Sequence, residues 1–374
     1  MAQMTSKQQE LVRKAERFAQ ETISVSGKGE DPTEQARRLY AAYARDGYHA
    51  LLIPEQYGGK GLDYTSTGIV YETLSYHQPG TLHAPITTAH CIEMIKCAHQ
   101  DARHDTYLSN IARKGLAVGF CLTEDSAGSD ITAISTTAQK TAQGFVLNGK
   151  KSIVINHAIA SFLIVFATIS PEKGRAGINA FVVDPGLEGI TLSDPYAVEG
   201  FAGSVMGEVI LDKVLIDRES LLGEEGSGYF LLMETLDKGR PLVAASCTGA
   251  ANRVFDIIVS YTKDRHQFGK DLFSFQGVSL PLAEYATRLH ASRLLYLDAL
   301  ERIDGNQSFS MEASMAKLFG SQTLSEIASF AMDILGYRAI VEHGLVQQVY
   351  DDAQLMKSID GTGTVQKMVI SSQL

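Results

Sequence analysis

The last acidic residue of the chain, Asp360, stands directly before Gly-Thr-Gly in "MKSIDGTGTVQK" (356–367). A carboxylate displayed on such a loop can take a proton from carbon. Asp-Gly is also among the commonest turn dipeptides, and the local sequence leaves both readings open. In "LTEDSAGSD" (122–130) the small residues Ala127, Gly128 and Ser129 let backbone N–H groups and a hydroxyl approach phosphate oxygens closely. A Gly/Ser loop at a strand end is the plainer alternative. "DRHQFG" (264–269) ends a helical run with Arg265, whose guanidinium suits a pyrophosphate and keeps its charge. Asp237 and Arg240 in "LDKGR" stand three apart on one helix face, as an ion pair or as part of a site.

The elements that must position these residues follow a simple order. Residues 5 to about 118 read as helices: "KQQELVRKAERFAQETI" has 3.6-residue spacing, and "DPTEQARRLYAAYARDGY" opens on Asp-Pro and closes on Gly47. "LLIPEQYGGKGLD" is a Gly-rich loop. From Ala117 the runs "LAVGFCLTE", "GFVLNGKKSIVIN", "SFLIVFATI", "INAFVVD", "ITLSD" and "GEVILDKVLI" are short and β-rich. Helical periodicity returns near Gly223 and continues to the end. The expected domains are a helical one over 1–118, a β domain over 119–222 and a helical bundle over 223–374. Strands gathered in one block argue against a Rossmann-type sheet, and no Gly-x-Gly-x-x-Gly follows a strand.

At 374 residues, 45% apolar and 20% charged, the composition is that of an ordinary globular protein with room for several cores. A net charge of −10 without a basic run argues against nucleic acid as a partner. Cys91, Cys97, Cys121 and Cys247 form no CxxC pair, which suggests reduced thiols and a cytoplasmic setting. The polar, helical start does not read as a signal peptide, and no apolar run of 18 residues is evident, so no membrane span is expected.

Together the order of domains and five stretches resemble the acyl-CoA dehydrogenase family of flavoenzymes, over nearly the whole chain. The stretches are "LTEDSAGSD", "LDKVLIDRESLLGEEGSGY" (211–229), "LDKGRPLVAA" (236–245), "DRHQFGKDLFSFQ" (264–276) and the C-terminal "DGT". The resemblance implies a mainly α fold with a central β-barrel, an N-terminal helical domain and a C-terminal four-helix bundle. It implies FAD and an acyl thioester on CoA or acyl carrier protein, with electrons leaving to an electron-transfer partner or oxygen. Thr123, Gly128 and Ser129 would then contact the flavin ring and pyrophosphate, with Thr362 on the flavin side of the C-terminal turn. Arg265, Phe268, Gln276 and Gly336 would meet the FAD of a neighbouring subunit, which implies a homodimer or homotetramer. Asp237 and Arg240 would lie at the acyl end of the thioester site. No metal is expected.

The chain departs from the family pattern at the base. A glutamate usually precedes the C-terminal Gly-Thr, and some branches carry it instead on the "LDKGR" helix, where this chain has Gly239. Asp360 is the matching acid, one methylene shorter. Misplacement by about 1 Å costs on the order of a hundredfold unless the loop compensates. The backbone N–H at that position can still polarise a thioester carbonyl. After an expected Asn148-Gly149 turn, Ile153 and Ile155 replace a Trp-x-Thr that covers the flavin, and the chain has no tryptophan. "LGYRA" (335–339) replaces a Gly-rich turn, leaving Gly336 beside bulkier Tyr337 and Arg338, and Asp351 replaces a usual arginine.

The reading that follows is an FAD-dependent acyl-thioester dehydrogenase with Asp360 as the α-proton base. One rival keeps fold and flavin but oxidises a more acidic C–H bond, as an oxidase or monooxygenase. Another has lost flavin and acts in binding or a non-redox reaction. Buried against an apolar acyl pocket, Asp360 is expected to have its pKa raised by desolvation.

Overall fold

The computed structural model describes residues 4–22, 30–98 and 102–374. Helix α1 (Ser6–Glu21) starts on a reciprocal capping box between Thr5 and Gln8. Helix α2 (Pro32–Arg45) starts at Asp31, whose carboxylate accepts from the amides of Thr33 and Glu34 at 2.9 and 3.1 Å. Pro32 fits the first turn because an N–H there has no helical partner. Asp63 caps α3 (Tyr64–His77) in the same way. Helix α4 (His83–Cys97) is buried on nearly every face, and α5 (Ala102–Lys114) closes this group.

Eight strands follow: β1 (Val118–Cys121), β2 (Thr137–Lys140), β3 (Gly144–Ile155), β4 (Phe162–Thr168), β5 (Ile178–Val183), β6 (Ile190–Leu192), β7 (Met206–Asp217) and β8 (Leu221–Leu222). They form one sheet in the order β6-β7-β3-β2-β4-β5-β8, with β1 added parallel to β4. The apolar run "FLIVFAT" makes β4 buried throughout, as its central place requires. One expectation is corrected here. Asn148-Gly149 is not a hairpin turn but an irregularity inside the single strand β3, where the register against β7 slips between Leu147 and Gly149. Gly149 has φ 150°, and a Cβ there would crowd Thr136, so glycine is needed for a bulge rather than a reversal.

The C-terminal part holds α6 (Gly228–Asp264), a small hairpin of β9 (His266–Gln267) and β10 (Lys270–Asp271), then α7 (Gln276–Asp304) and α8 (Ser310–Leu335). The short α9 (Arg338–Val341), α10 (Gly344–Met356) and α11 (Gly363–Ser371) complete it. Helix α6 runs through the middle of the bundle, with Val243, Ala244, Ala245, Ala251 and Ile258 fully buried. Small residues let neighbours come close: a Cβ at Gly249 would strike the backbone of Glu72 on α3. One 18-residue window of α6 is long and apolar enough to cross a membrane by length and composition. Most of that window is buried against the other helices, which accounts for its composition.

Candidate active site at the C-terminal turn

Asp360 sits between α10 and α11 in a left-handed conformation, φ 53°, which Asp tolerates better than most residues. Its turn is clamped by its carbonyls. Gln366 Nε2 donates to the carbonyls of Asp360 and Gly361 at 2.8 and 3.0 Å. Lys317 Nζ, from α8, donates to those of Gly361 and Lys357 at 2.7 and 3.1 Å. Arg240 Nε, from α6, reaches the Asp360 carbonyl at 3.5 Å. Strain held by this many partners is characteristic of functional turns. Among the described residues, the Asp360 amide donates to no protein acceptor. Thr362 caps α11 by accepting from the Val365 amide, which leaves its hydroxyl hydrogen to donate.

The Asp360 carboxylate, 14% exposed, lies with Oδ2 2.8 Å from Nε2 of His90 on α4. The two atoms are off the line of an ideal hydrogen bond, and neither has another hydrogen-bond partner. This corrects the expected pKa of Asp360. Burial does push it up, but the His90 contact and the charges of Lys317 and Arg240 outweigh burial and hold it below the ordinary carboxylate value. For His90, burial pulls down, while Asp360, the Ile86 carbonyl and Glu93 outweigh it and carry it above the ordinary histidine value. Burial lowers Lys317 to about 8 although Asp360 pulls the other way. Asp237 and Arg240 form an ion pair, and Arg240 Nη1 also donates to Ser314 at 3.2 Å. Arg240 thus joins the predicted Asp237 to the Asp360 turn.

His90 was not apparent in the sequence, since nothing local distinguishes it. Its signal lies in Gly239: a Cβ there would overlap the His90 imidazole. A side chain at that position and the His90 ring in its present place exclude each other sterically. The ring also lies 6.5 Å from that of Phe120 on β1, so α4, α6, the sheet and the C-terminal turn converge on it.

The 122–130 loop forms a second group, holding Thr123, Gly128 and Ser129 together. Its anchor is Glu124, buried and missed by the sequence reading. Glu124 accepts from Lys151 Nζ on β3 at 2.7 Å, from the Ser135 amide at 2.6 Å and hydroxyl at 2.5 Å, and from the Thr136 amide at 3.1 Å. Burial would raise its pKa, but Lys151 and these donors bring it down to about 2. The Thr123 carbonyl accepts from the Ser152 amide of β3 at 2.9 Å. Beside this loop Ile153 is 53% exposed and Ile155 half-buried.

The remaining predicted residues lie elsewhere: Arg265, Phe268 and Gln276 around the β9–β10 hairpin and Gly336 at the end of α8. Phe268 is 95% exposed in the β9–β10 turn, and Gln276 starts α7. Arg265 caps the end of α6 and makes no ion pair among the described residues. Gly336, φ 57°, ends α8, and Tyr337 beside it is 67% exposed.

Three domain families match in chain order: acyl-CoA dehydrogenase N-terminal domain over 5–115, middle domain over 119–214 and C-terminal domain over 226–374. The chain belongs to the acyl-CoA dehydrogenase family. It is therefore one of the oxidoreductases acting on CH–CH groups. It is 31% identical over 373 residues to a 3-(aryl)acrylate reductase of Clostridium sporogenes, spanning 99% of each chain. Among solved structures, the prolyl acyl carrier protein oxidase AnaB matches with TM-score 0.94 and 28% identity over 99% of each chain. An FAD-dependent dehydrogenase matches with TM-score 0.93 and 28% identity, over 100% of this chain and 99% of that one.

Relatives of this fold in the acyl-CoA dehydrogenase family are FAD-dependent, and the residues present fit that group. Nothing lies within 4 Å of where a Cβ on Gly128 would stand, so the loop is open to an approaching phosphate. Ile153 offers an apolar face beside it. Tyr337 points outward and fills none of this space.

Proposed function

We propose that the chain is an FAD-dependent α,β-dehydrogenase of an acyl thioester, carried on CoA or on an acyl carrier protein, with Asp360 as the proton-accepting base. The observation that carries this reading is the Asp360 turn: a buried carboxylate on a clamped left-handed backbone with its amide unused. The Asp360 carboxylate takes the proton from Cα of the thioester. Its N–H donates to the thioester carbonyl and stabilises charge developing there as the Cα–H bond weakens. When bound, FAD accepts the hydride from Cβ. Thr362 donates on the flavin side, and Thr123, Gly128 and Ser129 hold flavin and pyrophosphate. Asp237 and Arg240 brace the turn from the acyl end.

Arg265, Phe268, Gln276 and Gly336 serve the FAD of a neighbouring copy in a homodimer or homotetramer. Reoxidation falls to an electron-transfer protein or to oxygen. One observation favours a second reading within the same fold. A carboxylate held below its ordinary pKa is a weaker base than an isolated buried one, which suits a C–H bond more acidic than that of a saturated fatty acyl group.

The test is the visible spectrum of purified protein and its bleaching by butyryl-CoA and 3-phenylpropanoyl-CoA without oxygen. Yellow protein bleached by a thioester supports the proposal. Protein that stays colourless after incubation with excess FAD sinks it.

A further inference from the structure

His90 touches the proposed base yet has no part in the reaction so far. Its Nδ1 lies 2.8 Å from the Ile86 carbonyl, and a carbonyl only accepts, so Nδ1 carries a hydrogen. The other nitrogen, Nε2, faces Asp360 Oδ2 at 2.8 Å, both buried and otherwise unpartnered. A carboxylate lone pair against an imidazole lone pair at that separation is repulsive. One proton therefore belongs between them below the apparent pKa of the pair, and the slot stands empty above it.

We infer that His90 is a positioning residue that makes Asp360 half of a two-membered base, whose slot between Oδ2 and Nε2 receives the α-proton. This rests on the reading of Asp360 as the base. Emptied, the slot sets an ionised carboxylate against a nitrogen lone pair in a buried site, a repulsion that an incoming proton relieves. In the reaction the Cα–H bond breaks and its electron pair forms the Cα=Cβ bond. The hydride leaving Cβ with its own pair would be taken up by bound FAD, and the proton fills the slot. In thioester reduction the filled slot returns that proton to Cα, so the two directions have opposite pH dependences.

The charged groups facing the slot come from every side: Glu93 on α4, Arg240 on α6, Lys317 on α8 and Asp360 itself. Burial works against the imidazolium, Asp360 and Glu93 hold the proton on His90, and Lys317 and Arg240 help to keep Asp360 ionised. Gly239 completes the arrangement, because only a residue without Cβ leaves the ring its place.

The proton's place can be measured without substrate, from the pH titration of the His90 ring signals in histidine-labelled protein, assigned with His90→Asn. In the parent His90 should titrate above the ordinary histidine value. Asp360→Asn should lower it by about 1–3 units, the usual effect of losing an opposite charge. Asp360→Glu, which keeps the charge, should restore it and guards against a merely misfolded variant. The pair titrates as a unit, so bleaching by 3-phenylpropanoyl-CoA should rise with pH through the same apparent value in the parent. In His90→Asn that limb should shift. A His90 titration indifferent to Asp360→Asn, or a limb unmoved in His90→Asn, overturns this inference alone. Bleaching that survives Asp360→Asn at the parent rate overturns instead the assignment of Asp360 as base.

Discussion

Two residues share one unfavourable backbone conformation and nothing else. Asp360 and Phe268 both have φ 53°, a left-handed setting that an aromatic side chain rarely adopts. Asp360 is enclosed, its turn held by Gln366, Lys317 and Arg240 from three helices. Phe268 stands 95% exposed on a hairpin of two-residue strands, stabilised within the chain by little beyond the edge of Phe275, 6.4 Å away. The first turn is complete in one chain. The second has the same backbone setting with few contacts to hold it, and in the proposed oligomer its counterpart would lie on another molecule. On that proposal the site is built in two halves, one finished by folding and the other by assembly.

The sharpest break in that comparison is Asp360→Asn. Asparagine tolerates the same backbone and keeps the clamp, so the protein should fold and stay yellow. Bleaching by thioester should fall about 10²–10⁴-fold, the usual contribution of a positioned base. Stopped-flow absorbance checks it. Next comes Lys151→Met, which strands the Glu124 carboxylate under the 122–130 loop. Leaving one member of a buried pair unpaired costs about 3–5 kcal/mol, to be read from denaturant unfolding. The same pair sets an acid limit in the parent. Because folding lowers Glu124 from 4.5 to about 2, its stabilisation is complete above pH 4.5 and is lost as pH falls towards 2.

Smaller effects probe each half separately. Gly239→Ala should displace the His90 ring, destabilise the fold by about 1–3 kcal/mol as overpacking does, and alter the pH profile of bleaching. Arg265→Ala removes a charge-assisted phosphate contact, typically worth ~1.5–3 kcal/mol. It should weaken FAD retention by equilibrium dialysis while leaving the unfolding midpoint of FAD-free protein unchanged. A monomeric mass by sedimentation at micromolar concentration with FAD present would contradict the two-half arrangement altogether.

Periodicity and caps made much of the fold legible. Asp31-Pro32, Gly47 and the apolar run of β4 each carry their structural consequence within a few residues. The Asn148-Gly149 pair misled for the same reason: a turn dipeptide is local, whereas its bulge is imposed by Thr136 across the sheet. The candidate site divides along the same line. Asp360, Gly128 and Arg265 announce themselves by type and setting. His90, Lys317 and Gln366 carry no local mark, because their roles exist only once distant helices meet at the C-terminal turn. The expected rise in the pKa of Asp360 erred by assuming apolar surroundings, when the surroundings supply three cationic groups.

Helix α6 touches the finished half through Arg240 and ends at Arg265 in the unfinished one, continuous through Pro241. That interval is about seven turns, roughly 37 Å, so the two positions fall near the same side of the rod. The helix is therefore a gauge in both length and phase. Inserting one residue between them would turn one arginine by about 100° relative to the other. The distance along the rod between the two arginines is thus set by a residue count rather than by any loop.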